Sequence, residues 1–207
     1  VDLSVDFCGV RFPNPFMLSS SPVSNSAEMV TRAFEAGWGG VAYKTVVTDR
    51  IPITHPSPRM EAYHYGTKRL VGLQNVEQTS DRGLRANLRD MTWLKKRWPD
   101  RVLMASIMGF SNDEWAELAR ACTGAGADLL ELNYSCPHMT VEGSGAKVGQ
   151  VEELVRRFTE TVRAVTPVPL VAKLTPNVAD MTVPARYAKQ GGANAIAAIN
   201  TVRGLAG

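Results

Sequence analysis

Short apolar segments of strand length alternate with amphipathic segments along this chain, which predicts an α/β fold with a parallel sheet. No Gly-x-Gly-x-x-Gly turn follows the first strand, and this disfavours a doubly wound dinucleotide-binding sheet. Several strands instead end in polar side chains, as in a (β/α)8 TIM-type barrel. We therefore predict one barrel domain over residues 1–207 with about six βα units, the C-terminal units of the full barrel being absent.

The predicted strands are near-continuous apolar runs, as expected for strands that are buried on both faces. A stretch before the first of them is predicted to form an N-terminal hairpin. The six strands are Phe16–Leu18, Val41–Tyr43, Val102–Ile107, Leu129–Leu132, Leu170–Leu174 and Ala195–Ile199.

The helices between these strands are predicted from spacing and from start signals. The clearest helix has five apolar residues on one face: Val151, Leu154, Val155, Phe158 and Val162. Capping-box spacing marks two helix starts, at Ser111 with Glu114 and at Asn25 with Glu28. Glycine-rich junctions at 37–40, 124–127 and 191–194 then lead from a helix directly into a strand.

Composition excludes several classes of function. The 207 residues carry a net charge of only +3, spread along the chain, so no nucleic-acid or membrane-surface partner is expected. No apolar run approaches the roughly 18 residues that span a bilayer. The three cysteines form no Cys-x-x-Cys pair, which argues against a disulfide framework, a zinc site or an Fe–S cluster within this chain. We expect a cytoplasmic protein.

Polar residues collect where the predicted strands end, which is where a (β/α) barrel places its functional groups. Asn75 and Glu77 lie in the long connection after the second strand. The set at the strand ends is Ser19–Ser21, Lys44, Thr45, Asn133, Ser135, Cys136, Lys173, Thr175, Asn177, Asn200 and Thr201.

Two lysines, Lys44 and Lys173, belong to predicted strands whose other residues are mostly apolar, as in buried strands. A buried ammonium needs an anionic or hydrogen-bonding partner, because burying it unpaired is very costly. A phosphate or an electron-rich ring would serve, and an acidic neighbour inside the barrel is the alternative. Because the two lysines are accompanied by asparagines and by no matching acids, we favour a bound ligand over an acidic neighbour as their partner.

The segment 133–138 opens a loop of about 15 residues, longer than the roughly 2–6 that are typical of βα loops. We expect a mobile lid over a binding site. Cys136 lies in this loop among polar residues, and a thiol with an ordinary pKa near 8.5 can transfer a proton near neutral pH. His138 could relay that proton, although a lone loop histidine is more often solvated. Cys8 and Cys122 are interpreted as small buried hydrophobes.

These segments resemble the class 1 dihydroorotate dehydrogenase family, and within it the flavin domain of the dihydropyrimidine dehydrogenases. The Asn-x-Ser-Cys-Pro motif at 133–137 is shared across the family, whereas Ala-Lys-Leu-Thr-Pro-Asn at 172–177 and Asn-Thr-Val at 200–202 resemble the dihydropyrimidine branch. Tyr134 stands where the family often has leucine. Further matching stretches keep their order along the chain at 14–16, 36–39, 44–45, 57–59 and 105–108.

The resemblance implies a flavin-dependent oxidoreductase that interconverts uracil or thymine with their 5,6-dihydro forms. Hydride would move through N5 of FMN, and Cys136 would act as the general acid/base. The implied FMN contacts are Ser20, Lys44, Thr45 and Lys173. The implied pyrimidine contacts are Asn75, Asn133, Tyr134, Ser135, Asn200 and Thr201. An asparagine amide suits the alternating N–H and C=O edge of uracil, since it offers both donors and an acceptor.

The resemblance also implies components outside this chain. NAD, FAD and Fe–S clusters are expected only in missing segments or in a partner subunit, and the assembly is expected to be an oligomer. Two alternatives stay open. One is a dihydroorotate dehydrogenase, whose substrate carries a carboxylate that needs extra donors. The other is a truncated fragment or scaffold without activity, which a flavin absorbance spectrum would distinguish.

Overall fold

A computed structural model describes residues 1–50, 55, 57–66, 69–135 and 146–202. Its centre is a curled sheet of six parallel strands in the order β10-β9-β8-β7-β4-β3. These strands are β3 (Met17–Leu18), β4 (Gly40–Val46), β7 (Val102–Ile107), β8 (Leu129–Asn133), β9 (Leu170–Lys173) and β10 (Ala195–Ala197). Each corresponds to one of the six predicted strands, so the prediction of a partial (β/α) barrel is confirmed.

Two antiparallel hairpins accompany the sheet. The predicted N-terminal hairpin is confirmed as β1 (Val5–Phe7) and β2 (Val10–Phe12). A second hairpin, β5 (Met60–Tyr65) with β6 (Arg69–Asn75), lies in the connection after β4 and was not predicted. Its strands are largely exposed and lack a buried face, so no apolar periodicity marks them in the sequence.

The helices are α1 (Ala27–Glu35), α2 (Leu84–Arg97), α3 (Asn112–Gly124), α4 (Ala146–Gly149), α5 (Glu152–Arg163) and α6 (Thr182–Gln190). In α5, Val155, Phe158 and Val162 are buried as predicted, whereas Val151 precedes the helix and is exposed. No helix in the part of the chain that the structure describes is long and apolar enough to cross a membrane.

One of the two predicted helix starts is wrong by a residue. The Ser111 hydroxyl accepts from the Glu114 backbone N–H at 3.3 Å, which confirms that cap. At α1, however, Ser26 is the N-cap and accepts from the Met29 N–H at 3.3 Å. Asn25 cannot cap because its amide is already engaged, donating to Asp81 at 2.7 Å and accepting from Ser80 at 2.6 Å.

The two faces of the sheet differ, because successive side chains of a strand point to opposite faces. One face packs on the helices and carries most of the core, including Tyr43, Ile107 and Leu132. The other face holds a smaller apolar cluster, to which Met104 and Leu129 belong. Towards the carboxyl ends of the strands this second face becomes polar, and the candidate site lies there.

Candidate functional site

A cleft of about 500 Å³ lies at the carboxyl ends of the parallel strands. This volume falls within the range of small-molecule sites. Its apolar lining includes Met17, Ala42, Met104 and Ala197. Eight of the ten predicted site residues that the structure describes also line it, namely Ser20, Lys44, Thr45, Asn75, Asn133, Lys173, Asn200 and Thr201.

Two consecutive residues of β4 reach this cleft because the strand is irregular there. Tyr43 is in register with Ala105 of β7, but the next paired residues are Val46 and Ile107. Strand β4 therefore holds one more residue than its partner between these pairs. Such a bulge redirects side chains, and here both Lys44 and Thr45 line the cleft.

Each buried lysine has a carboxylate partner, contrary to the expectation that matching acids are missing. Lys44 Nζ lies 2.6 Å from Glu77 Oε2, with the two side chains only 6% and 10% exposed. Lys173 Nζ lies 3.7 Å from Glu131 Oε1, at 14% and 5% exposure. The ion pairs supply the compensation that buried ammonium groups require. The lysines and glutamates that line the cleft therefore balance in charge.

A chain of hydroxyl groups crosses the wall of the cleft. Ser20 Oγ lies 3.2 Å from Thr45 Oγ1, which in turn lies 2.8 Å from Ser106 Oγ. Ser106 donates to Glu131 Oε1 at 2.7 Å. Asn133 joins the chain by donating from Nδ2 to Thr45 Oγ1 at 3.0 Å. Four strand ends are thereby connected by one hydrogen-bonded network.

Ser135 lies behind the cleft wall, not at its surface, which corrects its predicted contact with a substrate. It is fully buried and does not line the cleft. Its hydroxyl donates to Asn133 Oδ1 at 2.8 Å and accepts from Asn200 Nδ2 at 2.9 Å. Ser135 therefore holds two cleft asparagines in place.

The predicted contact from the Tyr134 side chain is also wrong. Its ring packs in the main core against Trp115, with ring centroids 5.3 Å apart, and its hydroxyl lies 2.9 Å from Thr159 Oγ1. Burial raises the pKa of the phenol well above its ordinary value. Tyr134 lies on the helix-facing side because it follows Asn133, which faces the cleft.

Other predicted residues have local roles or lie outside the described part of the chain. Asn75 Oδ1 accepts from the Glu77 backbone N–H at 3.3 Å, and Asn200 Oδ1 accepts from the Thr201 N–H at 2.8 Å. Thr175 is buried and does not line the cleft. Cys136 and His138 lie outside the described residues, as does most of the predicted lid, so their roles stay predictions.

Sequence reasoning missed the two buried groups deepest in the network, Ser106 and Glu131. Both lie on strands predicted correctly, and they are paired across β7 and β8. A signal was available: the predicted strand Leu129–Leu132 is apolar except for Glu131, and an acid in such a strand needs a partner inside the barrel.

Comparisons with known proteins agree with the fold. The family model described as Dihydroorotate dehydrogenase matches residues 2–206. Over 207 residues the chain is 46% identical to the NAD-dependent dihydropyrimidine dehydrogenase subunit PreA of Escherichia coli (strain K12), covering 99% of this chain and 49% of PreA. It is 39% identical over 213 residues to the chloroplastic dihydropyrimidine dehydrogenase (NADP(+)) of Arabidopsis thaliana, covering 100% and 50%.

A third relative carries a different activity in its name. The chain is 38% identical over 200 residues to the catalytic subunit of dihydroorotate dehydrogenase B (NAD(+)) of Methanosarcina mazei, covering 96% of this chain and 60% of that protein. The chain thus spans about half the length of the two dihydropyrimidine dehydrogenases. The match over almost every residue shows that this chain belongs to the dihydroorotate dehydrogenase family.

Proposed function

We propose that this chain is the flavin- and pyrimidine-binding part of an oxidoreductase that interconverts uracil or thymine with their 5,6-dihydro forms. The observation that carries the proposal is a charge-balanced cleft at the strand ends that is lined by three asparagines, Asn75, Asn133 and Asn200. The relatives named dihydropyrimidine dehydrogenase, at 46% and 39% identity, support it.

The asparagine amides suit the carbonyl groups of a pyrimidine. Asn133 Oδ1 accepts from the N–H and the hydroxyl of Ser135, and one hydrogen of its Nδ2 is given to Thr45. Asn200 Oδ1 accepts from Thr201, and one hydrogen of its Nδ2 is given to Ser135. Each amide keeps one N–H without a partner among the described residues. Uracil offers two C=O acceptors, so both asparagines would act there as donors.

Acceptors for the ring N–H groups are also present in the cleft. Glu77 lines it and carries a carboxylate with several acceptor positions, of which Lys44 and Arg59 occupy some. Asn75 Oδ1 accepts only the Glu77 backbone N–H among the described residues, which leaves it a second lone pair. The cleft can therefore serve both the donors and the acceptors of a pyrimidine.

The charge of the cleft distinguishes a site for neutral pyrimidines from the site of a dihydroorotate dehydrogenase. Dihydroorotate carries a carboxylate, and a site for it needs a cation that is free to pair. In the described part of the cleft both lysines already face a glutamate, at 2.6 and 3.7 Å. A neutral ring is bound there without leaving a buried charge uncompensated, which favours the uncharged pyrimidines.

The donor set also fits the ring system of FMN. Ser20 Oγ keeps an acceptor position and Lys173 carries an ammonium donor, while Thr45 lines the cleft with the small apolar side chains Ala42 and Ala197, against which a flat ring can pack. FMN bound there would supply the hydride chemistry. The chain's own part is to orient the two rings, to exclude water, and to move the proton through Cys136, as the family resemblance implies.

The electrons would come from elsewhere in the assembly. PreA is named as a subunit of an NAD-dependent enzyme. We propose that a partner subunit or further segments carry the NAD site, FAD and Fe–S clusters, that the assembly is oligomeric, and that it acts in the cytoplasm.

The test is flavin content of the full-length protein. Purified protein should contain FMN, identified by chromatography of the released chromophore. Replacing Lys173 with methionine should lower the FMN content, because the ammonium is lost from the cleft. Lys189→Met, on the exposed surface of α6, is the matched control and should retain FMN. A full-length protein that binds no flavin would overturn the proposal.

A further inference from the structure

Glu131 lies at one end of the hydroxyl chain, and its chemistry determines the direction of every hydrogen bond in that chain. A carboxylate only accepts, so the single hydroxyl proton of Ser106 is directed at Glu131 Oε1, 2.7 Å away. Ser106 then has no proton left for its other neighbour. The bond between Thr45 Oγ1 and Ser106 Oγ, 2.8 Å long, must therefore be donated by Thr45.

The direction of these hydrogen bonds also determines the orientation of the Asn133 amide at the cleft surface. Because the proton of Thr45 is used on Ser106, Thr45 Oγ1 can only accept from Ser20 and from Asn133. The side of the Asn133 amide that faces Thr45 must then be the NH2 group. The Ser135 backbone N–H, which can only donate, lies 3.1 Å from the other side and requires the oxygen there. Two independent constraints give one orientation.

We propose that Glu131 is a positioning residue, which acts through Ser106 and Thr45 to hold the Asn133 amide with one N–H directed at the ligand. This role rests on the proposed binding of a pyrimidine. Glu131 itself is almost fully buried and stands two hydroxyl groups away from the amide that it orients. Without its carboxylate, Ser106 and Thr45 are free to reverse their hydroxyls, and Thr45 no longer has to accept from Asn133.

The experiment removes one link of the chain in the full-length, flavin-loaded protein and measures uracil affinity by equilibrium titration. Ser106→Ala disconnects Glu131 from Thr45 and should weaken uracil binding on the order of tenfold, the effect of one well-placed hydrogen bond.

Thr48→Val is the matched control. The Thr48 hydroxyl also donates to a buried carboxylate at 2.7 Å, that of Glu114, but neither residue lines the cleft. A general structural effect of losing such a bond would weaken uracil binding equally in both variants. The proposal predicts loss with Ser106→Ala and none with Thr48→Val.

A double variant tests whether the effect passes through Asn133. Ser106→Ala combined with Asn133→Ala should bind uracil no more weakly than Asn133→Ala alone, since the amide to be oriented is gone. Additive losses would overturn the proposal, and so would unchanged affinity in Ser106→Ala.

An NMR measurement on the unliganded protein separates this inference from the proposed function. The side-chain NH2 signals of Asn133, identified by their loss in Asn133→Ala, should shift and exchange faster in Ser106→Ala but not in Thr48→Val. If the parent protein binds no uracil, the proposed function fails. Unchanged Asn133 signals in Ser106→Ala would then show separately that the orienting chain is wrong.

Discussion

Lys44 Nζ lies 2.6 Å from Glu77 Oε2 in the wall of the cleft, where both side chains are at least nine-tenths buried. Arg59 reaches the other oxygen of Glu77 at 3.4 Å and also pairs with Asp81 at 2.8 Å. Removing one partner from a buried pair leaves the other charge uncompensated, at a cost of about 3–5 kcal/mol. The pair therefore affects both the stability of the cleft and the charge of the ligand that it accepts.

Replacing Glu77 with glutamine should change the preference between neutral and anionic ligands. Lys44 then lacks its carboxylate, and the carboxylate of orotate can supply one. We expect uracil affinity to fall and the affinity ratio of uracil to orotate to drop at least about tenfold, equivalent to roughly 1.4 kcal/mol. Competitive titration of the full-length protein measures this ratio.

Glu61→Gln is the control for that substitution, since Glu61 lies on the exposed strand β5 and its loss changes the net charge equally. It should leave the ratio unaltered. A folded Glu77→Gln protein that still prefers uracil to the same degree would show that the ion pair does not set the charge preference.

Tyr134→Phe should leave the binding of substrate unchanged. The phenol lies in the core and contacts Thr159, whose hydroxyl also donates to the Val155 carbonyl at 2.6 Å. Losing the bond should lower the free energy of unfolding by about 0.5–1.5 kcal/mol. Denaturant unfolding and the KM for uracil check the two parts. A raised KM with normal stability would restore a role for Tyr134 at the substrate.

Alkylation of the three thiols should distinguish Cys136 from the others. Complete burial raises the pKa of Cys122 to about 12, so at pH 8 it stays a protonated, unreactive thiol. Partial burial and the neighbouring Asp6 carboxylate also raise the pKa of Cys8. A loop thiol with an ordinary pKa near 8.5 should react first, and faster as pH rises through that value. Mass spectrometry after brief iodoacetamide treatment should find the label on Cys136. Rapid labelling of Cys122 in the native protein would contradict its placement in the core.

Cys136→Ala should uncouple the two half-reactions of the full-length enzyme. It removes the predicted proton donor and none of the predicted flavin contacts. Flavin reduction through the partner should persist, while uracil reduction should fall by about 10²–10⁴-fold. Stopped-flow absorbance follows both steps separately. Turnover of uracil at the parent rate would show that the thiol is not the general acid.

The architecture could be predicted from the sequence because it depends on local signals. Apolar strands such as Val102–Ile107 and the face formed by Val155, Phe158 and Val162 are legible within a few residues. The hairpin β5–β6 could not be predicted in this way, because it buries no face against the core.

Most residues that line the cleft could be predicted from the sequence, but the ion pairs between them could not. The carboxyl ends of parallel strands meet at one edge, so eight of the chosen residues came together. The partners of the lysines are distant in sequence: Glu77 follows Lys44 by 33 residues, and Glu131 lies on a strand beside that of Lys173. Such contacts depend on the register between strands and on the bulge in β4, neither of which follows from the secondary-structure propensities of the residues.

Side-chain direction explains the two wrong substrate contacts. Asn133 faces the cleft as the last residue of β8. The next residue, Tyr134, lies on the opposite side, as strand alternation favours. Ser135 returns towards the cleft side but is covered by Asn133 and Asn200, to both of which it is bonded. The family resemblance of the motif at 133–137 does not indicate which of its side chains point into the cleft.

If this cleft holds a flavin next to a neutral pyrimidine, a dihydropyrimidine should reduce the bound flavin, and an anaerobic titration measures this. Purified full-length protein is titrated with dihydrouracil while its flavin absorbance is recorded, and the titration is repeated with dihydroorotate. We expect dihydrouracil to bleach the bound flavin and dihydroorotate to leave its absorbance unchanged. Bleaching by dihydroorotate alone would show that the cleft takes the anionic pyrimidine instead of the neutral one.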